Sequence, residues 1–319
     1  MAGHPGNIFV LIGWGKPIIN FIKIINNSFK INNIIIITHP KKKHEKDIAY
    51  FDDDRIYQSI FNIRNKNVKI IETNQINEQI VKIIKKSNPK LIISAGSKFI
   101  FKKNFIKIFS TKLINFHPSY LPEERGGANF TFRILNRKKF VAATAHFMNE
   151  RIDAGDIIYR IKKFNVKNYD LKSYFYETYK LYGVILKIIL NKILLNKKIM
   201  AKKQIDINAT HFKKLNSDKN GKINFNWSVS DIDLFIKAFA RPYKGAYLYL
   251  EGKKLHILKS KVNDKKKIHP FLFGKIQKIN KDGSVLVLCS KGILNISQIS
   301  LGKKLIKPSD IIKLSSWLH

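Results

Sequence analysis

Cysteine is nearly absent from this chain. Its 319 residues include one, Cys289, which excludes an internal disulfide and any cysteine-rich metal site and fits a reducing compartment. Long apolar runs are missing too. No window of about 18–20 residues is free of charge, and the most apolar helical stretch, residues 182–195, is interrupted by Lys187 and Lys192. A membrane span is therefore not expected. Residues 1–6 carry no basic start and the first apolar run, residues 8–13, is too short for a secretory signal, so the expected location is the cytoplasm. Acidic residues are scarce: 22 against 60 lysines and arginines, for a formal net charge of +38. That excess has two readings, a surface for nucleic acid or another polyanion or a bias in composition. Lysine far outnumbers arginine, whose planar fork matches phosphate better, and the lysines are spread along the whole chain. Both facts favour the compositional origin. Either way the surface attracts anionic substrates in a salt-sensitive manner.

A third glycine is missing where it would matter. Gly13-Trp14-Gly15 follows the first apolar run, but Ile18 stands where a dinucleotide fingerprint needs glycine. No acidic residue ends the second apolar run, where Thr38 is followed by His39 and Pro40. A nucleotide cofactor is not expected. No spacing matches a zinc site and no metal is expected; the basic tract at 39–46 reads as a solvated loop that contacts an anionic substrate.

What remains is a globular pattern, 45% hydrophobic and 12% aromatic, long enough for two domains with real cores. Short β-branched runs at 7–13, 34–38, 68–71, 91–95 and 112–116 read as strands. Between them, 17–29, 54–64 and 76–86 repeat apolar residues at three and four, as amphipathic helices do. That alternation predicts an α/β fold, a Rossmann-like, open, mostly parallel sheet joined by crossovers. A helix at 126–136, strands at 141–148 and 156–161, and a long helix at 171–197 complete the first domain. Residues 199–221 are polar and lose periodicity. Beyond them a helix at 230–240, with Ser230 as N-cap and Asp233 three residues on, precedes about five short strands, suggesting a small OB-like β-barrel. The expected organisation is a catalytic domain at 1–200, a linker at 201–221 and a C-terminal domain at 222–319.

Asn115-Phe116-His117-Pro118 lies at the carboxyl end of the fifth predicted strand, where open α/β sheets place ligands. Residues two apart on a strand face the same side, so Asn115 and His117 look into one crevice. An amide can donate to a developing oxyanion and an imidazole can move a proton near neutral pH. Taken alone, Asn-x-His is more often strand-end chemistry, and Asp153, in Ile152-Asp153-Ala154-Gly155-Asp156, is more often a turn residue. Asp153 follows His117 by 36 residues. A carboxylate there would orient the imidazole and raise its pKa.

Assembled, these residues resemble the folate-dependent formyltransferases. The match rests on Asn115-x-His117-Pro118-Ser119-x-Leu121-Pro122, on Arg125-Gly126, and on residues 152–157 at the same interval. Stretches at 223–228, 236–239 and 242–246 resemble the start of that family's C-terminal domain, and 292–296 with Gly302-Lys303-Lys304 its end. The resemblance implies transfer of a formyl group from 10-formyltetrahydrofolate, a cosubstrate, to a primary amine. It assigns catalysis to Asn115, His117 and Asp153, with the oxyanion held by Asn115 and protonated His117. It places folate against Ser97, Lys98, Phe99, Phe101, Met148, Asn149 and Glu150, and the acceptor against Arg125, Gly126 and Asn129.

Two acceptors fit. The relatives that act on initiator Met-tRNA carry a basic insertion after the second strand; here that segment runs into Asp52-Asp53-Asp54, which would repel phosphate. Residues 127–130 lack a proline usual in those enzymes, and Lys244 stands for another. Both departures point to a nucleotide-linked amino sugar, with Met-tRNA as the alternative. A relative without catalysis that binds RNA is the reading from another class.

Overall fold

The computed structural model describes residues 7–29, 32–43, 58–302 and 304–319. In chain order the first domain runs β1 (Asn7–Gly13), α1 (Gly15–Ser28), β2 (Asn32–Thr38), β3 (Val68–Glu72), α2 (Glu78–Ser87), β4 (Leu91–Ala95), α3 (Lys103–Ile108) and β5 (Leu113–His117). The two-residue β6 (Arg125–Gly126), α4 (Asn129–Leu135), β7 (Phe140–Phe147), β8 (Ile157–Phe164) and α5 (Leu171–Leu194) follow. Seven strands form one sheet in the order β3-β2-β1-β4-β5-β7-β8. The first five pair in parallel, and β7 and β8 add antiparallel. The expected helix at 54–64 is a single 3-10 turn, Ile60–Asn62, in its described part. Residues 54–57, the acidic cluster at 52–54 and residues 44–46 of the basic tract lie outside the described residues. Among the described residues no helix is long and apolar enough to cross a membrane.

Strand alternation explains why both sheet faces are covered. On β1, Phe9 and Leu11 join one core while Val10 and Ile12 join the other. The first core is closed by α1 and α5, where Phe21 packs on Phe116 at 4.7 Å and Tyr182 lies 5.3 Å from Phe116. The second is closed by α2 and α3 through Ile80, Ile84, Phe105 and Ile106. α2 starts where the Asn77 side chain accepts from the Ile80 N–H and ends at Asn88 in the left-handed region. The strand order reverses at β1, so a crevice opens beyond the carboxyl ends of β1 and β4, with β5 beside it. A Cβ on Gly13, at the end of β1, would stand 2.1 Å from the Ala95 carbonyl oxygen, so only glycine lets the two strands end side by side.

Residues after α5 cross back over the first domain through β9 (His211–Phe212), which pairs in parallel with β6. That pairing is why Arg125 and Gly126 are extended and α4 begins at Asn129 rather than at 126. The chain then forms α6 (Ser217–Asn220) and α7 (Val229–Phe239). Ser228 caps α7, not Ser230: its hydroxyl oxygen accepts from the Asp231 N–H at 3.2 Å. Asp233 is buried and holds Lys237 at 2.6 Å and the Ser260 hydroxyl at 2.7 Å. Strands β10 (Ala246–Leu250), β11 (Lys253–Asp264), β12 (Ile276–Ile279), β13 (Val285–Cys289), β14 (Gly292–Leu301) and β15 (Lys304–Ile306) make an antiparallel sheet in the order β10-β11-β14-β13-β12, with β15 on β14. β15 is a strand beyond the five expected. The sheet's two edges are joined by residues 316–319: His319 and Tyr249 of β10 exchange backbone hydrogen bonds at 2.6 and 2.9 Å, while Leu318 donates to Gly274, just before β12, at 3.0 Å. The ribbon's two edge strands are thereby bridged by the chain's last residues, the curled arrangement expected of a small barrel. The two domains touch through α4 and α7, where the Thr131 hydroxyl donates to the Ala238 carbonyl at 3.0 Å and Arg137 meets Asp231 at 2.6 Å.

Candidate active site

Asn115 and His117 leave the end of β5 on one face, and the antiparallel register of β7 sets His146 beside Asn115 and Thr144 beside His117. The loop between β7 and β8 folds back over them because Gly155 permits it: a Cβ there would lie 1.8 Å from the Phe147 carbonyl oxygen. Asp153 on that loop sits in the left-handed region, φ +50°, uncommon for residues other than glycine although aspartate enters it more readily than most.

The three side chains meet. Asp153 Oδ2 lies 3.3 Å from His117 Nδ1 and accepts the Gly126 N–H at 3.0 Å. Asn115 Nδ2 donates to Asp153 Oδ1 at 3.3 Å and lies 3.3 Å from His146 Nε2. His146 Nδ1 is 2.8 Å from the Phe147 carbonyl oxygen, an acceptor, so its proton belongs on Nδ1 and its Nε2 accepts from Asn115. His117 has an acceptor at both nitrogens, since Nε2 is 3.0 Å from the Glu124 carbonyl oxygen. A protonated ring satisfies both contacts; a neutral ring satisfies one. Burial, with 5% of the side chain exposed, pushes His117 below the ordinary histidine value, and the Asp153 carboxylate and Glu124 carbonyl pull against it. For Asp153 burial acts upward, but His117 and the Gly126 N–H act against it and the carboxyl lies well below the usual range.

Two cavities open on either side of this cluster, and Asn115 and Asp153 line both. One, about 470 Å³, has Ser97, Phe99, Phe101, Met148, Asn149 and Glu150 in its wall. Lys98 is not among its lining residues; its ammonium stands 4.8 Å over the Trp14 ring. The other, about 370 Å³, is lined by Gly126, Asn129 and aromatic rings from Phe130, Phe175, Tyr179, Tyr182 and Tyr243. Arg125, expected beside the acceptor, faces neither. Its guanidinium is 3% exposed and is spent on Gln204 Oε1 at 2.7 and 3.1 Å and Asp206 at 2.8 Å.

Sequence reasoning missed His146, Arg133 and Gln204. The first carried a signal: Thr144 and His146 are two apart in an otherwise apolar strand, the same pattern as Asn115 and His117. Arg133 lies one turn into α4, fully buried, where its Nε donates to Glu124 at 2.7 Å, its Nη2 donates to the Pro118 carbonyl at 2.8 Å, and a second, shorter bond joins Nη2 to Glu124. It ties together both ends of the loop that follows His117.

A part-buried amide and carboxylate around a buried imidazole, between two cavities at the carboxyl end of a parallel sheet, suit a group transferase that joins two substrates and stabilises charge on an oxygen. The comparisons give the family. The N-terminal formyl transferase model matches residues 8–180 and the formyl transferase C-terminal domain model matches residues 216–315. The chain belongs to the formyl transferase family. It is 28% identical over 241 residues to a methionyl-tRNA formyltransferase of Clostridium tetani, covering 75% of this chain and 76% of that one. It is 27% identical to the methionyl-tRNA formyltransferase of Mycoplasma capricolum over 94% of this chain and 93% of the relative. Among solved structures, a sugar 3N-formyl transferase determined with dTDP and 5-N-formyl-THF superposes with a TM-score of 0.62 at 21% identity, over 92% of this chain and 98% of that one.

Proposed function

We propose that this chain moves a formyl group from 10-formyltetrahydrofolate to the amine of initiator methionyl-tRNA, with Asn115, His117 and Asp153 as its catalytic residues. The observation that carries the choice of acceptor is the composition of the smaller cavity. Its walls are aromatic, and among the described residues no lysine or arginine lines it. A flexible thioether packs well against aromatic rings, whereas a nucleotide sugar brings a diphosphate that calls for cations close to the amine. Likeness to methionyl-tRNA formyltransferases over nearly the full length of both chains supports the same reading.

The folate donor enters the larger cavity, bringing its formyl carbon to Asn115 from one side while the amine arrives from the other. The amine nitrogen bonds to the formyl carbon and negative charge gathers on the formyl oxygen. Both hydrogen bonds from the Asn115 amide are long, 3.3 Å, so an oxyanion competes successfully for one of its N–H groups. His117, pulled down by burial and up by two acceptors, carries a positive charge close to that oxygen when its ring is protonated, and Asp153 balances the charge on the ring. The bond from carbon to the folate nitrogen then breaks, and the proton lost by the amine ends on that nitrogen.

A nucleotide-linked amino sugar is the second reading, favoured by the missing proline in residues 127–130, by Lys244, and by the solved sugar 3N-formyl transferase. Incubation with 10-formyltetrahydrofolate and, in parallel, charged initiator tRNA and a panel of nucleotide-linked 3- and 4-amino sugars separates the two. Turnover with Met-tRNA alone is expected. Turnover confined to a sugar would overturn the acceptor, and salt-dependent RNA binding without any turnover would overturn the enzyme.

A further inference from the structure

We infer that Gln204 is a positioning residue for Asp153, and that residues 202–212, between the two domains, form a strap across both loops that build the active site. The inference rests on Asp153 being the catalytic carboxylate and is independent of which amine is used.

Gln204 is 7% exposed. Its Nε2 donates to the carbonyl oxygens of Asp153 at 2.9 Å and Gly155 at 2.7 Å. Its Oε1 accepts from Arg125 Nε at 3.1 Å and Nη2 at 2.7 Å. Both donors and both lone pairs of one amide are therefore used, and they reach the two sides of one carboxylate. On one side is the backbone of Asp153 itself. On the other is the residue next to Gly126, whose N–H holds Asp153 Oδ2. The strap continues the grip: Thr210 Oγ1 accepts from the Glu124 N–H at 2.7 Å, the Thr210 carbonyl accepts from Arg125 at 2.8 Å, and the Phe212 carbonyl accepts from Gly127 at 2.9 Å. Glu124 is the residue whose carbonyl meets His117. Asp206 adds a second anchor, pairing with Arg125 on one oxygen and Arg151, two residues before Asp153, on the other, both at 2.8 Å. The hold fixes a left-handed turn that would otherwise be one of several conformations open to an exposed loop. Without the amide, the loop relaxes and the carboxylate leaves the His117 ring.

The test is Gln204→Met, which keeps side-chain length and loses all four hydrogen bonds. The readouts are steady-state kinetics with the amine that the wild type turns over, and titration of the His117 imidazole by NMR on histidine-labelled protein, assigned with His117→Gln. The groups facing that ring are Asp153, His146, Arg133 and the Glu124 carbonyl. Moving the carboxylate away removes the main influence that favours the protonated ring. The expected result is a kcat lower by on the order of 10²-fold, as for a displaced catalytic group, together with a His117 titration at lower pH. Gln204→Met with wild-type turnover and an unchanged titration overturns the inference, as does a lower melting temperature with no change in titration, which is the signature of packing alone. Should that variant fail to fold because Arg125 is orphaned, Gln204→Glu keeps the acceptor for Arg125 and loses only the two donors. Wild-type turnover in a folded Gln204→Glu would overturn the inference equally. A wild type inactive on every amine refutes the proposed function, while the titration still decides the role of Gln204.

Discussion

Arg133 and Glu124 form an ion pair that the fold has buried directly behind His117, and its removal gives a quantitative test. The Arg133 side chain is 0% exposed and Glu124 is 12% exposed. Glu124→Gln keeps the shape but takes one charge from the pair, leaving the guanidinium with the Pro118 carbonyl and a neutral amide. Breaking a buried pair from one side costs about 3–5 kcal/mol. At about 2–4 °C per kcal/mol for a domain of this size, the melting temperature should fall by about 6–20 °C. The double variant Glu124→Gln/Arg133→Met replaces the stranded charge with an apolar chain of similar reach and should recover most of the loss, since well-packed apolar replacements of buried ion pairs are often neutral. Calorimetry at pH 7 on the wild type, both single variants and the double variant closes the cycle. Kinetics on the double variant add the functional half: the loop from Pro118 to Glu124 has lost its staple, so turnover should stay low although stability returns. If Glu124→Gln melts within about 2 °C of the wild type, the guanidinium is not buried as described and the reasoning fails.

Asn115→Ala should lower kcat by about 2.7–4 kcal/mol of transition-state stabilisation, the scale of one lost oxyanion donor, with folate binding by equilibrium dialysis little changed; an effect under tenfold refutes the donor role. Gly155→Ala should push the Asp153 loop off Phe147 and lower kcat on the order of 10²-fold, and a crystal structure of the variant should place Asp153 away from His117. Stability should fall on acidification in two stages. His117 lies below its unfolded value, so the unfolded chain takes up a proton first and stability declines as pH drops below about 6.5. Asp153 also lies below its unfolded value, so its contribution is present above about pH 3.9 and is lost as pH falls further. His117→Gln should remove the first stage and leave the second; a melting temperature that rises between pH 7 and pH 5 contradicts the first sign, and one that rises below about pH 3.9 contradicts the second.

Much of the fold was legible because its signals are local. The β-branched runs of β1, β2, β4 and β5 are buried on both faces and read as strands wherever they occur, and the amphipathic spacing of α2 and its Asn77 cap announce a helix. The shift of the α7 cap from Ser230 to Ser228 is the kind of error two similar hydroxyls invite. Residues 199–221 were harder. Polar and without period, they read as a tether, yet Gln204 and Thr210 carry hydrogen bonds into the candidate site. No local pattern marks a glutamine whose partners lie about fifty residues away, at 153 and 155.

The sequence by itself determined where the candidate groups stand along the chain. Strand geometry and turn sterics act over a few residues, so an amide and an imidazole two apart at a strand end, and a carboxylate in a glycine turn, are legible locally, and the resemblance to the formyltransferases is what marked them as candidates for the reaction. Tertiary structure decided how those groups are held and what surrounds them. Only the folded chain sets His146 across from Asn115, turns Arg125 inward to Gln204, buries Arg133 against Glu124 and lines the smaller cavity with aromatic rings. These depend on contacts between residues far apart in the chain, where burial makes each unpaired polar atom costly and so forces the pairings that local sequence leaves open.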